Sequence, residues 1–93
     1  MKKNEAIKSL LKKSDLPFEE QVTVKSALVS LLEAKERLKI LNIPDNRTDV
    51  QKNLNASIND SIAYLCMTTV KPDVVIGREI NTLTEINTEK LGS

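Results

Sequence analysis

The stretch from Pro17 to Leu41 constrains this chain more than any other. Within it Val24, Ala27, Leu31, Ala34, Leu38 and Leu41 recur at alternating steps of three and four. That spacing is the seam of a helix packed along its length against a partner. A second apolar set, Val22, Val29 and Leu32, falls on the opposite side, and only in the first half. Beyond Leu32 the back of the helix carries Glu33, Glu36, Arg37 and Lys39, with Ile40 the one exception. A helix over 17–41 is therefore expected to be covered on two sides at its start and on one side at its end.

Two further helices fit that asymmetry. Residues 3–13 place Ala6, Ile7, Leu10 and Leu11 on one face and Lys2, Lys8, Lys12 and Lys13 on the other. So short a helix is marginal alone and requires tertiary contacts. The start of the long helix, where Val22, Val29 and Leu32 want cover, is the expected dock. Ser14-Asp15-Leu16-Pro17 is the turn between them, with Asp15 as a cap candidate and a proline suited to a first helical turn.

After a short loop over 42–47, the next helix is expected over 48–71, opening on a Thr48/Gln51 capping box and ending at Pro72. Val50, Leu54, Ile58, Ile62, Leu65 and Thr69 or Val70 mark its stripe. The hexapeptide Ile62–Met67 is apolar all round, as a deeply buried helix would be. Val74-Val75-Ile76-Gly77 reads as extended or as a strained first turn, and Ile76, Ile80, Leu83 and Leu91 have the spacing of a weak helix. Its Asn and Thr content lowers the helix propensity, so 73–93 reads as weakly structured. The expected fold is all-α and a single domain over 1–93: a short first helix on a long antiparallel hairpin, a three-helix unit completed as a bundle by oligomerisation.

The chemistry these residues could carry is sparse. With no histidine and one cysteine among 93 residues, no metal site, no internal disulfide and no cofactor are expected. No Gly-rich phosphate loop occurs, and no nucleophile sits beside an activator, so no catalytic residue is assigned and a non-enzymatic protein is expected. Cys66, set among apolar neighbours, reads as an inert core thiol. Aromatics are 2% of the chain, too few for a base-stacking platform. No apolar run approaches the ~20 residues of a membrane span, and no secretory leader is visible, so a cytoplasmic location is expected.

Three binding classes remain. The first is protein–protein interaction by a homo-oligomer, most simply a dimer, of inhibitor, chaperone or adaptor type. Its interface would be the apolar stripe that the first helix cannot reach: Leu38, Ile40, Leu41, Ile43, Val50, Leu54 and Ile58. The second is nucleic-acid binding, with Lys8, Lys12 and Lys13 as the concentrated positive face for a polyanion. Here the alternation of Leu and Ala over Val24–Leu41 resembles the core layering of the plasmid-encoded, RNA-binding helical hairpins of the ROP family, which implies a hairpin dimer. The third is capture of a small anionic ligand between subunits. A short helix and a long hairpin ending in Thr68-Thr69-Val70-Lys71-Pro72 is similar in shape to small phage proteins that sequester cyclic nucleotides.

Overall fold

The computed structural model describes residues 1–40 and 48–84. They form four helices: α1 (Lys3–Ser14), α2 (Phe18–Lys39), α3 (Thr48–Thr69) and α4 (Gly77–Thr84). No strand occurs among the described residues, and the all-α class with a long hairpin is what the structure shows. The first half of the C-terminal segment adds a short fourth helix to the expected three.

The helices follow one another around the bundle in chain order. The largest contacts are α2 with α3 and α1 with α4, then α3 with α4 and α1 with α2. At the loop end of the hairpin, the Gln51 side-chain amide donates across to the Leu38 carbonyl, which sets the antiparallel register of α2 and α3. Gln51 thus ties the hairpin together where the sequence suggested a local cap. At 22 residues each, α2 and α3 run about 33 Å. Among the described residues, the shorter α1 and α4 cover the end away from that loop.

One core fills the four-helix end. Leu10, Leu28, Ile62, Cys66 and Leu83 have no exposed surface, and Ala6, Ile7, Val24 and Ile76 complete the cluster. On α2 the most buried positions are Val24, Leu28 and Lys35, whereas Ala27, Leu31, Ala34 and Leu38 are half-buried. The stripe is thus rotated from the seam read in the sequence. A helix that serves α3 alone would centre on 27–34–38, but α2 must also face the middle of the bundle, and Leu28 supplies that contact.

Two packing expectations are corrected. The first helix does fold back, but it packs chiefly on α4 and reaches beyond Leu32, since Lys3 lies 3.9 Å from Glu36. Val22 and Val29 stay exposed. The stretch 62–67 is not enclosed on every side either, for Tyr64 is 68% exposed and Met67 projects outward. Three neighbours cannot surround a helix completely, so α3 buries Ile62, Cys66 and Thr69 and leaves its outer face to solvent.

The reversal between α1 and α2 is local chemistry. Asp15 adopts the left-handed conformation (φ 65°) and closes α1, rather than capping α2 as its position suggested. A short polar side chain tolerates that region better than most. The Ser14 hydroxyl accepts from the Leu16 amide and donates to the Leu11 carbonyl, while Gln21 Nε2 donates to the Leu16 carbonyl at 2.8 Å. The short first helix is a structural member, not a free arm. Leu10→Ala is expected to destabilise the fold by about 2–5 kcal/mol, the range for buried leucine truncation, read by urea unfolding. A loss below about 0.5 kcal/mol, the range of surface changes, would show α1 to be undocked.

Candidate functional site

The polar centre of the structure lies where α1 meets α4. Glu79 stands in the first turn of α4, a position the helix dipole favours for a carboxylate. It is 1% exposed. From α1 the Ser9 hydroxyl donates to its Oε2, and Lys13 Nζ lies 2.8 Å from the same oxygen. The Lys13 ammonium also donates to the Val75 carbonyl at 3.0 Å, so one side chain holds both the α4 first turn and the segment that leads into it. At the other end of α4, the buried Lys35 ammonium donates to the Thr84 carbonyl at 2.8 Å. Lys35 thus ties α2 to the last described residue of α4.

Burial pushes the Glu79 carboxyl up. The hydrogen bonds from Lys13 and Ser9, one from its own backbone amide, and the Lys13 charge together outweigh this and hold it below the ordinary carboxylate value. Burial, reinforced by the negative charge of Glu79, pushes the Cys66 thiol up to about 11. A thiol protonated at neutral pH and out of contact with solvent is a poor nucleophile. Glu79 Oε1 and Asn59 Oδ1 are buried without a hydrogen-bond partner among the described residues. Among those residues no group of three or more His, Cys, Asp or Glu could hold a metal ion, and no helix is long and apolar enough to cross a membrane.

The basic face read in the sequence is divided by this arrangement. Lys8 and Lys12 are exposed, but Lys13 is committed to Glu79 and Val75. A polyanion would meet two free lysines there rather than three. Replacing Lys13 would disturb the fold as well as the surface.

The stripe assigned to self-association divides too. Leu38 and Ile58 are half-buried, with Ile58 packed against the core cluster. Val50 and Leu54 are exposed one turn apart on α3. Ile40, directly after α2, is 83% exposed. At about 100° per residue it lies about 160° around α2 from Leu38. Leu41 and Ile43 lie outside the described residues. Elsewhere on α2, Phe18 is 77% exposed, and a groove of about 270 Å³ runs between α1 and α2. It is lined by Lys3, Asn4 and Ile7 on one side and by Val29, Leu32, Glu33 and Glu36 on the other. No family model, curated protein or solved structure matches the chain.

The Glu79 cluster has a pH signature. A carboxyl whose pKa is lower in the folded than in the unfolded chain stabilises the fold above the unfolded value, about 4.3. That contribution is lost as the pH falls through the folded value. Glu79→Gln is therefore expected to unfold at lower urea than wild type at pH 6–7, by about 1–3 kcal/mol for a lost buried charged hydrogen bond. The difference should shrink as the pH falls below about 4. Parallel denaturation curves for the two proteins from pH 3 to pH 7, with a constant offset, would show that Glu79 carries no such linkage.

Proposed function

We propose that this chain is a small non-enzymatic helical protein that acts through protein–protein contact as a homo-oligomer, of inhibitor, chaperone or adaptor type. The observation that supports this reading is the apolar surface left open on the hairpin beyond the reach of α1 and α4. Val50 and Leu54 are exposed there, with Leu38 and Ile58 half-buried beneath. Removing apolar surface from water stabilises by about 25 cal/mol per Å², and a small domain has little stability to spare. A two-fold contact covers the same patch on both chains. The polar side of the molecule supports the reading as well, because the clustered ionisable groups are engaged in holding α4 rather than directed at a cavity.

Light scattering across a concentration series tests this. The full chain is expected to have a mass of at least twice 10.4 kDa, and Leu54→Glu is expected to lower it while far-UV circular dichroism stays unchanged. A monomer at every concentration would overturn the proposal. Unchanged mass in Leu54→Glu would remove the loop end of the hairpin as the contact.

A further inference from the structure

Among the described residues, the apolar set on the back of α2 lies largely open. Phe18 and Val22 are exposed, Val29 is 37% exposed, and Ile40 continues the line beyond the last turn. Lys25, Glu33 and Glu36 fall between them on the same strip. At about 100° per residue, all seven positions lie within about 80° of arc. Their order has a symmetry of its own. From Val29 the steps are four, three and four residues back to Phe18, and four, three and four forward to Ile40. The charges respect it, for Lys25 lies as far before Val29 as Glu33 lies after it.

We infer that this strip is a self-association face, on which α2 of one chain packs antiparallel against α2 of a second copy about a two-fold axis at Val29. The occupant is a second copy because the strip is complementary to itself when reversed. The axis brings Val29 onto its own mate and Phe18 onto Ile40, so the two most exposed apolar side chains of the strip cover each other. Lys25 meets Glu33 on both sides of the axis, opposite in sign in each case. Neither has an ion-pair partner among the described residues, so neither must be released from another contact. Val22 falls opposite Glu36, whose carboxylate is drawn aside by Lys39 at 3.3 Å and Lys3 at 3.9 Å. There the groove beside Ile7 and Leu32 gives it a recess. The geometry is that of shallow antiparallel helix packing, in which residues at three- and four-residue spacing interdigitate.

This inference rests on the homo-oligomer reading but uses a second face, distinct from Val50 and Leu54. A chain with two different two-fold faces assembles beyond the dimer. The test is therefore made on full chain carrying Leu54→Glu, in which the other face is disabled. Sedimentation equilibrium is expected to show that protein as a dimer. Adding either Lys25→Glu or Glu33→Lys places like charges opposite each other at two symmetric points and should weaken the dimer by about tenfold. Each singly reversed chain then carries one sign at positions 25 and 33. Mixing the two should restore association as a heterodimer, and Lys25→Glu with Glu33→Lys in one chain should restore the homodimer. Both positions are exposed, and circular dichroism checks that the fold is kept. If the Leu54→Glu protein is a monomer while wild type is a dimer, this face fails and the homo-oligomer reading stands. If wild type is itself a monomer, both fail. A dimer indifferent to both charge reversals overturns the antiparallel pairing.

Discussion

An eight-residue helix rich in Asn and Thr does not hold itself together in water. α4 is held at both ends of its described span by lysines from other helices. Lys13 and Ser9 fix the carboxylate of Glu79 at its start, and Lys35 takes the carbonyl of Thr84 at its end. Between these fastenings Ile76 and Leu83 enter the core, with Ile80 packed against it. The rest of the four-helix end depends on that arrangement, since α1 finds its largest partner in α4. Burial of Ala6, Ile7 and Leu10 is its result.

Lys35 also marks where the bundle changes character. Toward the α1–α2 turn the interior is filled by Leu28, Ile62 and Leu83, all fully buried. At Lys35 the interior turns polar, and among the described residues α2 and α3 run on beyond it as the hairpin. A buried ammonium is costly unless its donors are used. This one donates to the carbonyl of Thr84, the last described residue of α4.

Much of the architecture could be read from the sequence because it rests on local periodicity. The hairpin, the short first helix and the buried Cys66 are all consequences of spacing within one segment. The features that could not be read depend on residues distant in sequence. Glu79 and Ser9 are 70 positions apart, and nothing near either one indicates that the carboxylate is buried. Lys35 has the neighbours of a surface lysine, and only the end of α4 explains its burial. Leu28 was hidden for a related reason. Its place becomes central only when α2 must face two more helices besides its hairpin partner. The symmetric order from Phe18 to Ile40 stands in the sequence, but its openness is a fact of the folded chain, because α1 packs chiefly on α4 and not on the flank of α2.

The joining of α1 to α4 bears on the order in which the molecule can be assembled. Their ties link positions 62 and 70 apart, whereas α2 and α3 meet through contacts that a hairpin loop brings together early. Loops of that size close late, after local contacts have formed. During synthesis α1 emerges first but lacks its main partner until residues 77–84 have been made. Meanwhile Ala6, Ile7 and Leu10 present an uncovered apolar edge, the kind of transient surface on which nascent chains associate wrongly. The lysines at positions 8, 12 and 13 lie beside that edge from the moment it is made. Like charges so placed oppose the approach of a second unfinished copy, and Lys13 gains its contact with Glu79 only once α4 has been made.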